Sequence, residues 1–301
     1  MKRAALAIAA WLSWAAPEAH ACSCRGTTGP SSALTNRGER VGAAAGVFAR
    51  QATGAFDHRG GYHPYGGTVR DRAVGVSLAV GGRPLDATEL SLSAEASRGS
   101  FVAGSERRDQ LLLSDLTLRL RHELIATPPH LPHAIALLAP GGGVRAPTAT
   151  AASGSAAGAS PSSPGLGAWE ISALADLRVR LGTPLVEGGI SGEAAARTAD
   201  RATGIERRLG PRGLGRVAVF AYPRPPWSFG AHVDLALEGD VRYEGRLARD
   251  SGQRLFSAGA WASRDALSGW RASAFVIGGL PVAGKNAVVS TVVGVSLAAA
   301  R

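Results

Sequence analysis

The chain has few cysteines, few lysines and no long apolar run beyond its start, and each shortage limits what the protein can be. Its two cysteines, Cys22 and Cys24, are one residue apart, and a disulfide between them would close a very small, strained ring. After the first 16 residues no stretch reaches 18 consecutive apolar residues, so no transmembrane helix is available. Lysine occurs only at Lys2 and Lys285, so nearly all of the 33 basic residues are arginine.

The net charge of +10 raises the question of nucleic acid as a partner. The arginines are spread over almost every segment, often two or three positions from an acid, and they form no basic helix or stripe. A nucleic-acid site needs basic groups clustered along phosphates. The distribution therefore predicts no nucleic-acid partner.

The first residues have the three parts of a secretory signal peptide. Lys2 and Arg3 precede an apolar run over 4–16, and Ala19-His20-Ala21 supplies small residues for cleavage between Ala21 and Cys22. We therefore predict a signal peptide at 1–21, followed by a flexible segment at 22–40. No membrane-spanning helix is expected to anchor the exported protein.

The Cys-Ser-Cys sequence at the predicted mature start has three interpretations. Cys22 could be acylated, although Ala19 stands where lipoprotein signals usually carry leucine. Cys22 and Cys24 could hold a soft metal such as Cu(I), but no third ligand is nearby, so they are weak metal candidates. A tail without an essential role is the third interpretation.

Hydrophobic residues alternate with polar ones in short segments, most clearly over 110–124. A strand directs successive side chains to opposite faces, so such a segment has one apolar and one charged face. The apolar positions are Leu112, Leu116, Leu118, Leu120 and Leu124, and the polar ones are Asp115, Thr117, Arg119, Arg121 and Glu123.

The pattern predicts twelve strands, joined alternately by short turns and mostly long loops. The predicted strands are 41–50, 69–80, 88–98, 110–124, 133–140, 167–181, 184–195, 214–222, 227–238, 253–262, 269–278 and 287–298. An even count with short turns on one side is typical of an outer-membrane barrel. We predict an all-β fold, an antiparallel transmembrane β-barrel of about twelve strands at 41–301.

The charged face of these strands is expected to point inward. An arginine facing lipid near the midplane costs roughly 2–4 kcal/mol, so the charges must face a wet or mutually paired interior. Trp169, Trp227, Trp270 and Tyr222 lie at strand ends, where an interfacial girdle would be. A secreted β-sandwich would alternate too, with its apolar face inward. The candidate lumen-facing residues are Asp115, Arg119, Arg121, Glu123, Glu170, Asp176, Arg178, Arg180, His232 and Asp234.

With these residues in view, the chain resembles a family of bacterial outer-membrane barrel transporters, some described through a pathway of phenol degradation. The resemblance lies in Ala139-Pro140 followed by three glycines, in the Gly-rich start of the strand at Trp169, and in Leu280-Pro281 before the last strand. These motifs are expected to mark turns. The resemblance implies outer-membrane lipid as surroundings and insertion by the outer-membrane assembly machinery, which usually reads a terminal aromatic residue. This chain ends in Ala300-Arg301 instead.

No catalytic arrangement is evident, and neither an enzyme nor a cofactor is predicted. His122 and Glu123 are adjacent on one strand and therefore point to opposite faces, while His130 and His133 flank a proline-rich turn without a third metal ligand. The sequence thus predicts a passive transporter or channel for an unidentified small solute in the cell outer membrane. The alternative is a surface or secreted β-protein that does not transport and whose external loops bind a partner.

Overall fold

The structure is a computed structural model that describes residues 40–67, 69–126, 135–148, 168–181, 185–200, 206–224, 226–266 and 269–300. All regular structure in these ranges is β-strand. The described residues include no helix long and apolar enough to cross a membrane. The predicted signal peptide, Cys22, Cys24, His130 and His133 lie outside the described residues.

Twelve strands follow one another around the sheet, at the positions the alternation predicts. The fourth is interrupted and runs in three pieces. In chain order they are β1 (Val41–Phe56), β2 (Val69–Leu85), β3 (Thr88–Ala103), β4 (Glu106–Leu113, Leu116–His122 and Ile125–Ala126), β5 (Ile135–Ala146), β6 (Glu170–Arg180), β7 (Val186–Arg197), β8 (Arg212–Arg224), β9 (Trp227–Glu238), β10 (Gln253–Ala266), β11 (Trp270–Lys285) and β12 (Val288–Ala300).

The sheet closes on itself. Each strand pairs antiparallel with its neighbours, and β12 returns to pair with β1 from Gly42 opposite Ala300 to Ala55 opposite Val288. Closure leaves no free edge of the kind that promotes aggregation. The predicted fold class, an all-β antiparallel barrel of twelve strands, is confirmed.

Two predicted connections are wrong because the strands are longer than their apolar cores. The predicted loop at 99–109 is a two-residue turn at Gly104 and Ser105, where Gly104 has a φ of 59° that glycine adopts at little cost. The predicted connection at 279–286 is mostly strand, since β11 runs to Lys285. In both places glycine and polar residues continue the strand past its apolar stretch.

The long connections 198–211 and 239–252 are joined to each other. Four two-residue strands from these connections form a separate small sheet, which we call the loop sheet. Its strands are Ala199–Asp200, Arg207–Arg208, Arg242–Tyr243 and Arg246–Leu247. A further short strand, Tyr62–Pro64, pairs with the end of β1. These additions lie at the end of the barrel that carries the long connections.

The barrel has an apolar outer wall. On β6 the residues Trp169, Ile171 and Ala173 are exposed, while Glu170 and Asp176 between and beyond them are buried. β9 repeats this order, and the exposed apolar side chains in the middle of β2 are Val74, Val76, Leu78 and Val80. Tyr222 is an exception to the predicted girdle. It lies on the inward-facing side of β8, together with the buried Phe220 and Ala218.

Candidate functional site

The structure places all ten candidate side chains on the inner wall of the barrel. Eight are buried, and Arg119 and Arg178 are half-buried. His122, in contrast, is exposed and its ring nitrogen Nδ1 lies 2.9 Å from the Thr88 hydroxyl, while the neighbouring Glu123 is buried. Because successive side chains of a strand point to opposite faces, His122 points outward and Glu123 points inward. The two side chains therefore do not form a catalytic pair.

One group of charges connects β4 to β6. Arg121 Nη2 donates to Asp176 Oδ2 at 2.6 Å, and Arg178 Nη2 lies 3.4 Å from the same oxygen. Two residues further along β4, Glu123 Oε1 accepts a hydrogen bond from Arg83 of β2 at 2.7 Å. Charge-assisted bonds of this length are the strong class of hydrogen bond, so this group holds three strands together from inside.

The glycines of β5 make the contact between β4 and β6 possible. Gly141 lies opposite Arg121, and Gly143 lies opposite Arg119. A Cβ at Gly141 would collide with the carbonyl oxygen of Leu120, and one at Gly143 would lie 3.3 Å from Cγ of Arg119. The glycine run predicted to mark a turn is thus a strip inside a strand, over which the two arginines pass.

A second group surrounds Glu170 at the end of the barrel with the long connections. Arg197 bonds Glu170 at 2.8 Å and holds Glu238 by two bonds of 3.0 and 3.1 Å. Arg212 donates to Glu170 at 2.8 Å and to Glu193 at 2.5 Å. Arg197, Arg212 and Glu193 were not among the predicted lumen-facing residues, although the alternation along β7 and β8 indicates that they point inward.

A third group lies on β8 and β9. Arg216 donates to both oxygens of Asp234, Nε to Oδ1 at 2.6 Å and Nη2 to Oδ2 at 2.8 Å. His232 Nε2 is 3.6 Å from Asp234 Oδ2. Arg216 was also not among the predicted residues. The three groups place charges of both signs on β2, on β4 and on strands β6 to β9.

Part of the remaining inner wall is apolar, beside a buried ion pair between Arg50 of β1 and Asp71 of β2. Phe48 of β1, Phe275 and Ile277 of β11 and Val292 of β12 form a buried cluster, and Trp261 of β10 packs against it. The strands β11 and β12 are apolar on both walls, so alternation could not predict these inward side chains. The barrel interior therefore has an apolar region as well as its charged groups.

Two adjoining cavities lie inside the barrel. The larger, of about 50 Å³, is bounded by Glu89, Arg119, Arg121, Asp176, Glu193 and Arg216. Arg119 Nη2 reaches across it to within 3.4 Å of Glu193 Oε2. The smaller, of about 10 Å³, shares Asp176, Ser191 and Arg216 with the first and continues to Trp261.

Aromatic rings form one wall of the smaller cavity. The guanidinium carbon of Arg178 lies 4.5 Å from the centre of the Phe220 ring, a cation–π arrangement. The rings of Phe220 and Trp261 are 6.2 Å apart. The cavities thus offer a solute charged groups of both signs and an aromatic surface. In the described part of the chain no three His, Cys, Asp or Glu side chains are grouped to hold a metal.

No family model and no curated protein matches the chain. Among solved structures, an outer-membrane channel from Pseudomonas putida F1 superposes with a TM-score of 0.69 at 12% identity, covering 87% of this chain and 96% of the channel. The transport unit of the autotransporter AIDA-I from Escherichia coli gives a TM-score of 0.50 at 7% identity, with 88% and 92% covered. At these identities the likeness establishes the barrel fold.

Proposed function

We propose that this chain is a passive channel of the bacterial outer membrane, whose small, unidentified solute passes through the two cavities. The observation that carries the proposal is the larger cavity, which lies inside a barrel with an apolar outer wall and is bounded by side chains of both charges, among them Arg119 of β4 and Glu193 of β7. Rings of charged side chains guide solutes in pores. Fold likeness to an outer-membrane channel supports this function.

The proposal includes the route to the membrane. The signal peptide would be removed between Ala21 and Cys22, and the assembly machinery would insert the barrel into outer-membrane lipid. The exposed Val74, Leu78, Ile171 and Val233 would then face acyl chains, where charged side chains are costly. No catalysis and no cofactor are part of this function.

The first test is gel mobility of the membrane-extracted protein with and without boiling. We expect a compact fast band that slows on boiling, because a closed barrel resists detergent until heated. A single unchanged band in the soluble fraction would contradict the membrane location and favour the secreted alternative.

Conductance in planar bilayers then tests the pathway. In a Cys22→Ser, Cys24→Ser background, Ser191→Cys places one thiol between the two cavities. A bulky thiol reagent is expected to lower conductance at least fivefold. Val233→Cys on the outer wall, labelled to the same extent by mass, should conduct as before.

Failure of the unlabelled barrel to conduct would contradict the channel. The charge groups would then serve as filling of a closed barrel, as side chains fill small barrels. In that case the external loops, including the loop sheet, become the place to look for a binding partner.

A further inference from the structure

The outer wall carries four arginines close together where β2, β3 and β4 leave the apolar band. Arg70 and Arg72 lie on β2, Arg98 on β3 and Arg107 on β4, and all four are exposed. We call them the outer arginine cluster. Charged side chains on the outward face of a barrel are costly within lipid, so a group of four there calls for a compensating partner.

The strand register brings the four side chains onto one patch. Arg98 of β3 is opposite Val74 of β2, and Arg72 of β2 is opposite Ser100 of β3. Val102 of the middle strand β3 is opposite Arg70 on one side and Arg107 on the other. Adjacent strands are about 4.8 Å apart, and a step of two residues is about 6.7 Å. The cluster therefore occupies roughly 10 by 13 Å of one face, which long arginine side chains can span.

Asp109 is the acid in this patch. Its Oδ2 accepts a hydrogen bond from Arg107 Nε at 3.0 Å, and Ser100 stands opposite it on β3. Four arginines against one aspartate leave a net charge of +3 on the patch. Arginine presents a planar fork of donors that matches phosphate and carboxylate oxygens.

The apolar band continues directly from the cluster along the same face. Val74, Val76, Leu78 and Val80 follow Arg72 on alternate positions of β2, with exposed fractions of 65, 45, 51 and 38%. A ligand that fits both parts needs a multiply anionic head and apolar chains. A soluble anion would leave the apolar part uncovered.

The cluster also lies at one particular end of the barrel. Arg107 follows the Gly104 turn by three residues, and Arg70 follows the connection 57–68, so both are at the end with the long connections. In the proposed orientation this end meets the outer leaflet. Basic side chains at such a boundary bind anionic lipid headgroups.

We propose that the outer arginine cluster binds the phosphates of an anionic outer-leaflet lipid of the lipid A type, with the acyl chains lying on Val74, Val76 and Leu78. This inference rests on the proposed outer-membrane location. It adds a specific lipid contact on the outer wall, separate from the solute pathway inside.

The test is a titration of the detergent-purified barrel, followed by native mass spectrometry, with diphosphoryl lipid A and with the same lipid after removal of both phosphates. We expect the phosphorylated lipid to bind at least tenfold more tightly. The variant R70Q/R72Q/R98Q/R107Q should lose that preference at least tenfold. If it does not stay folded, R70Q/R72Q and R98Q/R107Q separately should each lose at least threefold.

The matched control is R208Q/R242Q/R246Q/R249Q. It removes four exposed arginines at the same end of the barrel but away from the outer wall, in and beside the loop sheet. Its affinity should stay within twofold of the parent. An equal loss in both quadruple variants would overturn the proposal, because it would show a general charge effect.

Two further outcomes separate the possible sources of the effect. Competition by inorganic phosphate at concentrations equal to the lipid would overturn the lipid assignment. Conductance measured on the same preparations separates the two proposals. A conducting barrel without phosphate-dependent lipid binding contradicts the cluster alone, while lipid binding without conductance contradicts the channel alone.

Discussion

Arg216 and Asp234 stand directly opposite each other on β8 and β9 and form a two-point ion pair inside the barrel. Their side chains are 4% and 0% exposed. The register of the two strands and the pairing of the two charges thus specify the same alignment. A one-residue shift of either strand would turn the charge of that strand to the apolar outer wall, so the pair opposes strand slippage.

Removing one partner of this pair should cost more than removing both. Asp234→Ala leaves the Arg216 guanidinium buried without its carboxylate, and we expect a loss of about 3–5 kcal/mol in the free energy of unfolding. The double variant Arg216→Met, Asp234→Leu should lose less, since no uncompensated charge remains. Urea unfolding in lipid vesicles measures both, and a double variant less stable than Asp234→Ala would contradict this account.

The glycine strip of β5 predicts an unequal response to two glycine substitutions. Gly141→Ala places a methyl group against the Leu120 carbonyl and 3.1 Å from Cα of Arg121, so strands β4 and β5 must move apart. Such overpacking typically costs 1–3 kcal/mol. Gly213→Ala is the control, because its added Cβ would meet nothing within 4 Å. Equal unfolding midpoints for the two variants would show that the strip has no packing role.

The interior arginines predict the ion selectivity of the channel. Arg119→Ala with Arg178→Ala removes two positive charges beside the cavities and should shift the reversal potential in a KCl gradient toward cations. Arg254→Ala with Arg264→Ala removes the same charge from exposed positions of β10 and should leave it unchanged. If the first variant conducts with the parent's selectivity, the solute pathway does not pass these arginines.

The strand positions could be predicted because a barrel strand must alternate wherever one wall is apolar and the other charged. Strands β4, β6 and β9 meet that condition, and the structure places their charged residues, such as Arg121, Asp176 and Asp234, on the inner wall. The partners of those residues could not be predicted. The bond from Arg121 to Asp176 crosses β5, and nothing local in the sequence encodes a contact over 55 positions.

Where a strand is apolar on both faces, the alternation of residue types does not show which side chains point into the barrel. Phe275 and Val292 are buried inside, whereas Val276 and Val293 beside them are exposed outside. Glycine misled the prediction for a related reason. Gly141 and Gly143 have no side chains that could reveal the alternation of a strand. A strip of small residues inside a strand therefore could not be distinguished from a turn.

The carboxylate of Asp57 holds the loop after β1 by hydrogen bonds. We therefore expect the conformation of this loop to depend on pH. Oδ1 accepts hydrogen bonds from the backbone N–H groups of Arg59 and Gly61, each at 2.8 Å, and Oδ2 is 3.0 Å from His63 Nε2. These hydrogen bonds lower the pKa of Asp57 from 3.8 to about 2, and the bond with His63 has the largest effect. Because the pKa falls on folding, the stabilisation is complete above 3.8 and is lost as the pH falls through about 2.

We therefore expect the amide chemical shifts of Arg59 and Gly61 in micelles to stay constant from pH 7 to about 4 and to change with a midpoint near 2. His63→Ala should raise that midpoint toward 3.8, because it removes the largest cause of the shift. His58→Ala is the matched control, since His58 instead lies 3.2 Å from Nε of Arg59. A midpoint near 4 in the parent would show that the Asp57 carboxylate does not hold the loop.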